Sequence, residues 1–134
     1  MELVGAQETH DVFFEKLTKN WKAYRKWAKD TLLDVSEMEL WLQYLLPDCP
    51  AERIAPNAAR LTRLWRDHDG RRVPHDGVKE TLRELTNRGY KLGIIANTIT
   101  ETEIPDWMCH DNVADCFKTV ILSSKVRLRK PDPA

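Results

Sequence analysis

The chain has 134 residues, enough for one ordinary domain or for pieces of two. It is 42% apolar and 31% charged, which excludes disorder by composition. Its 21 basic and 21 acidic residues leave zero net charge, which argues against binding nucleic acid or an anionic membrane through bulk charge but leaves room for a local basic pocket.

The opening MELVGAQETHD lacks the basic and apolar regions of a signal peptide. No apolar run nears the roughly 20 residues that span a bilayer. Three cysteines, Cys49, Cys109 and Cys116, are too few and too scattered for a disulfide framework, so a reducing, cytoplasmic setting is expected.

Residues 1 to about 72 read as helices only. From Asp11 to Leu33, Val12, Phe13, Leu17, Trp21, Tyr24, Ala28 and Leu32 recur mostly three or four apart, as on one stripe of a long amphipathic helix. Lysines and arginines fill much of its other face, which reads as solvated. Ser36-Glu37-Met38-Glu39 has the spacing of a capping box and starts a helix through Leu46, stopped by Pro47. Pro56-Asn57 opens another, with Ala58, Leu61, Leu64 and Trp65 on one side, ending near Gly70. Trp21, Trp27, Trp41 and Trp65 are expected to pack these helices together.

The period changes at Val73. Gly77 to Arg88 reads as a short amphipathic helix with Val78, Leu82 and Leu85 inward and Gly89 suited to the position after its end. KLGIIAN, residues 91–97, is a compact apolar run between turn residues and reads as a buried parallel strand. Residues 101–110 read as helical, and TVIL, residues 119–122, as a second buried strand. This is one parallel βαβ unit, so the chain is α/β in its second half. Pro131-Asp132-Pro133 reads as the opening of a further helix.

In an open α/β sheet, ligands bind beyond the carboxyl ends of the strands. Here the first strand ends at Asn97-Thr98, and the second at Ser123-Ser124, leading to Lys130. Amides, hydroxyls and an ammonium near one crevice suit an anion. Equally, Asn97 and Thr98 can turn the chain and cap the next helix, and Lys130 can be a surface lysine beside Arg127 and Arg129. Cys109, His110 and Cys116 fall short of a four-ligand zinc pattern, and no glycine-rich phosphate loop is present.

At these residues the sequence resembles the haloacid dehalogenase-like hydrolase superfamily. VPHDGVKETLRELTNRGYKLGIIANT is similar to that family's approach to its second motif, and TVILSSKVRLRKPDP to its approach to the third. The two occur in order over residues 73–134. The helical first half sits where the family often inserts a helical cap. The resemblance therefore implies a cap-like region at 1–72 and a partial Rossmann-like α/β core at 73–134.

It also implies a hydrolase using an aspartyl nucleophile and Mg²⁺, usually on small phosphorylated or other anionic substrates. Lys130 becomes the third-motif lysine, holding the nucleophile and the phosphoryl oxygens, while Asn97 and Thr98 position the substrate anion. Ala96 stands where the family commonly has serine or threonine, and alanine cannot donate a hydrogen bond. The family's nucleophile lies in a DxD motif at the tip of a strand, and no such strand precedes an acidic pair here. Asp67 and Asp69, in DHDG, follow a helical segment and read as a turn. No metal ligands are assigned in the chain. The expectation is a fragment of a Mg²⁺-dependent phosphatase or related hydrolase, inactive alone. The alternative is a degenerate, non-catalytic domain serving as an interaction or dimerisation module, with the open strand edge at 91–97 covered by a second copy or another partner.

Overall fold

In the computed structural model, which describes residues 1–70 and 73–133, the protein is mixed α/β: two parallel strands and a majority of helix. The expected boundary at 72/73 falls beside residues 71 and 72, which lie outside the described residues, as does Ala134.

Helix α1 spans His10–Thr31 and buries Phe13, Leu17, Tyr24 and Ala28. Val12, expected on that stripe, is 55% exposed. It lies in the first turn, beside the chain's entry into the helix.

The capping box is present in full. Ser36 Oγ accepts from the Glu39 N–H at 3.3 Å, and the Glu39 carboxylate accepts from the Ser36 N–H at 3.1 Å. Helix α2, Glu37–Glu39, then continues as a π-helix over Leu40–Leu45 rather than as α-helix to Leu46. The wider i→i+5 winding sets residues five apart on one side. That places Leu40 with Leu45 and Trp41 with Leu46, and all four are buried.

A short helix α3, Ala51–Ile54, follows, and a 3₁₀ turn at Ala55–Asn57 leads into α4, Ala58–His68. Ala58, Leu61 and Trp65 pack inward as expected, but Leu64 is 51% exposed and Thr62 takes its place inside. The Thr62 hydroxyl accepts from Trp41 Nε1 at 2.8 Å and donates to the Ala58 carbonyl at 3.0 Å, so its polar group is satisfied.

Helix α5, Val78–Asn87, ends in a Schellman motif. Gly89, at φ +84°, donates to the Thr86 carbonyl at 2.9 Å, and Tyr90 donates to the Leu85 carbonyl at 3.1 Å. Strand β1, Leu92–Ala96, pairs in parallel with β2, Phe117–Leu122, aligning Ile94 with Val120 and Ala96 with Leu122. Gly93 permits the close approach, since a Cβ there would lie 3.0 Å from Thr119 Cγ2. Helix α6, Glu103–His110, connects the strands, and α7, Ser123–Val126, follows β2.

The strands are not buried as expected. Burial alternates along β1, and Ile95 is 56% and its β2 partner Ile121 37% exposed. Leu82 of α5, with Ile104, Trp107 and Met108 of α6, packs with Ile94 and Val120. Ile95 and Ile121 point the other way, because neighbouring strand residues alternate faces. Pro131–Pro133 form no helix. Arg129 and Lys130 are instead tied sideways to Leu32 and Asn97, and the Asp132 N–H closes a turn on the Arg129 carbonyl at 2.9 Å.

The halves are joined by a polar seam. Segment 32–34 pairs antiparallel with 127–129 through a Leu33–Leu128 bridge. The Asp34 N–H donates to the Arg127 carbonyl at 3.0 Å, and the Arg129 N–H to the Leu32 carbonyl at 2.8 Å. Glu37 and Glu101 exchange reciprocal bonds, each carboxylate accepting from the other's backbone N–H, at 2.7 and 3.3 Å. On α4, Arg63 pairs with Asp106 and Arg66 with Glu103. Ile99, just past the tip of β1, sits in the core of the helical half.

Candidate functional site

Where the helical half meets the tip of β1, a cleft of about 590 Å³ opens, a size typical of small-molecule sites. Asn97, Thr98 and Ile99 line it from the strand side. Trp21, Tyr24 and Ala28 line it from α1. Five cations share the lining, Arg25, Lys26, Lys29, Arg66 and Arg129, against two acids, Asp30 and Asp69. In a chain with zero net charge, the lining carries more cations than acids, though Asp34 and Glu103 just outside it pair with Arg129 and Arg66.

The strand tip is held by its neighbours. Asn97 and Lys130 form a reciprocal pair: the Lys130 N–H donates to Asn97 Oδ1 at 2.9 Å, and Asn97 Nδ2 donates to the Lys130 carbonyl at 3.1 Å. One Nδ2–H of Asn97 remains for a ligand. The Thr98 N–H is taken by Ser123 Oγ at 2.9 Å, and Thr98 Oγ1 accepts from the Thr100 N–H at 3.2 Å. The Thr98 hydroxyl proton stays available as a donor. Capping of the following helix falls elsewhere, to Thr100 Oγ1, which accepts from the Thr102 and Glu103 N–H groups at 3.2 Å each. Lys130 is exposed, and its Nζ donates to the Ile95 carbonyl at 2.6 Å, covering one acceptor of β1. An ammonium has three donors, so two remain. Asn97, Thr98 and Lys130 are thus adjacent, with the first two in the cleft wall and Lys130 against the strand just behind them.

Sequence reasoning did not single out Asp34. Its side chain is fully buried and organises the seam. Asp34 Oδ2 accepts from Ser123 Oγ at 2.6 Å and from Arg129 Nη1 at 2.7 Å, while Oδ1 accepts from the Tyr24 hydroxyl and the Val35 N–H. Burial, and then the Asp34 carboxylate, push the Tyr24 phenol far above its ordinary range. Asp34 therefore fixes Arg129 at the cleft and ties Ser123, which in turn holds Thr98. The available signal was a lone acid between Leu33 and Val35, a sequence context that favours burial. Glu39, nearby, is held below the usual carboxylate range by the Ser36 hydroxyl and then by Arg127, whose guanidinium lies 2.6 Å away.

Asp67 lies within α4, and Asp69 caps its C-terminus before Gly70, at φ +93°. The DHDG segment is therefore a helix end and turn, with no strand before it. Among the described residues, no three His, Cys, Asp or Glu side chains are grouped to hold a metal ion, so they offer no ready-made carboxylate cluster for Mg²⁺. Among them also, no helix is long and apolar enough to cross a membrane.

A family model described as haloacid dehalogenase-like hydrolase matches residues 8–134, nearly the whole chain, helical half included. No curated protein and no solved structure matches it.

Proposed function

The chain belongs to the haloacid dehalogenase-like hydrolase family, and from that premise we infer that it carries the anion-binding part of a phosphatase-type site. In this reading residues 1–72 are the cap and 73–134 part of the core. The observation that carries it is the cleft at the strand tip, with five cations and two acids in its lining. A phosphoryl group there meets the free Nδ2–H of Asn97 and the Thr98 hydroxyl. Lys130, one residue pair away, supplies an ammonium to offset charge on the reacting phosphoryl oxygens.

The family generally uses Mg²⁺. The described residues do not supply its ligands, and no step is assigned to it here. Nor, among the described residues, does a strand-borne aspartate stand beside Asn97, so in this reading the nucleophile comes from a segment outside these 134 residues. Lys130→Ala, assayed in a protein that includes that segment, is expected to lower kcat/KM by about 100-fold or more, the scale of losing a preorganised charge at the transition state. Near-normal turnover would defeat the assignment.

A second reading is favoured by the exposure of Ile95 and Ile121 on one face of the sheet. There the chain is a non-catalytic interaction module whose exposed strand edge and face are covered by a second copy or another protein. Sedimentation separates the two: a stable dimer with no Mg²⁺-dependent hydrolysis supports this reading, and a monomer across the micromolar range counts against the homodimer.

A further inference from the structure

Resting on that anion-binding reading, we propose that the cleft takes a small molecule with two separated anionic groups. One sits at Asn97 and Thr98, and the other on Arg25 and Lys29 of α1. The substrate class is a phosphoryl compound bearing a second phosphate or a carboxylate.

The charges in the lining are not equivalent. Arg129 is matched by the buried Asp34 at 2.7 Å, and Arg66 by Glu103 at 3.3 Å. Lys26 is matched by Asp30 at 2.5 Å, one helical turn on. Arg25 and Lys29 have no ion-pair partner among the described residues, yet both line the cleft. They are four apart on α1, so they lie on one helix face and converge on one ligand group. The unmatched positive charge of the cleft is thus concentrated on the α1 side, while Asp69, at the end of α4, brings a carboxylate to the same lining. The strand tip contributes separate donors from a different element.

An aromatic ligand is a weaker fit to the α1 wall. Trp21 lines the cleft, but its indole is engaged by the Arg25 guanidinium at 5.9 Å, by Tyr24 at 5.9 Å and by Trp65 at 5.8 Å between centroids. The wall therefore presents charge, and the Trp21 contact orients the Arg25 guanidinium. A single phosphate bound at the strand tip leaves the α1 cations with water alone. A second anionic group gives them charge-assisted hydrogen bonds.

Calorimetric titration of the 134-residue chain with ethylphosphonate and with α,ω-alkane bisphosphonates of increasing length tests this. At one spacing, a bisphosphonate is expected to bind about tenfold or more tighter than ethylphosphonate, the scale of one added charged hydrogen bond. The double variant Arg25→Ala/Lys29→Ala should erase that advantage, weakening the favoured bisphosphonate by about tenfold or more and ethylphosphonate by clearly less. Both positions are exposed on a helix; should the pair unfold, Lys29→Gln alone is measured the same way. Ethylphosphonate binding with no bisphosphonate advantage overturns the two-anion proposal and leaves the anion site standing. An advantage equal at all spacings, or kept in the variant, also overturns it. If no phosphonate binds, the anion-binding reading falls, and the proposal with it.

Discussion

Among the described residues, one cluster of fifteen buried residues in the helical half runs from Val4 to Trp65 and takes in Ile99, whereas around the sheet the buried cluster is Met108, Val113 and Cys116. The difference follows from geometry. Helices can close a core by packing their stripes against one another. A two-stranded sheet has two faces and two edges, and α5 and α6 lie with Ile94 and Val120 on one face. A pair of strands with one covered face is marginal without further support. Here part of that support comes from the helical half, through Ile99 and the Asp34 seam.

The sharpest way to break this comparison is to truncate one apolar side chain in each half. Leu45→Ala, at a site with no exposure, is expected to destabilise by about 2–5 kcal/mol in chemical denaturation. Ile95→Ala, on the open face, should cost less than about 1 kcal/mol. If Ile95→Ala costs as much as Leu45→Ala, the sheet face is covered in solution and the asymmetry is not real.

The seam gives the next effect. Asp34→Ala strands Arg129, Ser123 and the Tyr24 hydroxyl together. A loss of about 2–4 kcal/mol is expected, near the lower range for breaking a buried pair because Arg129 keeps some contact with water. Hydrogen exchange should then show β1 and β2 opening before α1. Simultaneous opening of both halves would mean that Asp34 does not couple them.

Tyr24 predicts a pH signature for the same seam. Its folded pKa is raised, so its contribution is fully present below the ordinary phenol value of 10.0 and is lost as pH rises above it. Stability should fall above pH 10 in the parent, and Tyr24→Phe should flatten that fall. An unchanged alkaline slope in the variant would place the titration elsewhere.

A smaller effect than that of the seam belongs to the capping box. Ser36→Ala is expected to cost about 1 kcal/mol, the usual worth of such a cap. The Glu39 contribution has the opposite pH sign to that of Tyr24. Its pKa is lowered, so its support is present above the ordinary value of 4.5 and is lost as pH falls through its folded value. A Glu39→Gln variant whose acid limb matches the parent would remove Glu39 from the account.

Local rules were enough for much of the molecule. Period, caps and turn residues located α1, the start of α2, α5 with its Gly89 terminus, and the β1–α6–β2 unit, because each depends on contacts within a few residues. The same rules set Asn97 and Thr98 at the tip of β1, in the cleft wall, whereas Lys130 lies outside that lining with its Nζ on the Ile95 carbonyl. The tertiary structure decided what those rules do not contain. It set the π winding at Leu40–Leu45, which depends on what Trp41 and Leu46 pack against. It exchanged Leu64 for Thr62 on α4, where Trp41 supplied a donor. It left Ile95 and Ile121 exposed, since a strand's apolar run does not say how many of its faces are covered. Above all it gave meaning to charges that looked alike in sequence. Among the described residues Arg129 is matched while Arg25 and Lys29 have no ion-pair partner, because ion pairing depends on which carboxylates the fold brings within 4 Å, and for Arg129 that carboxylate is 95 residues away.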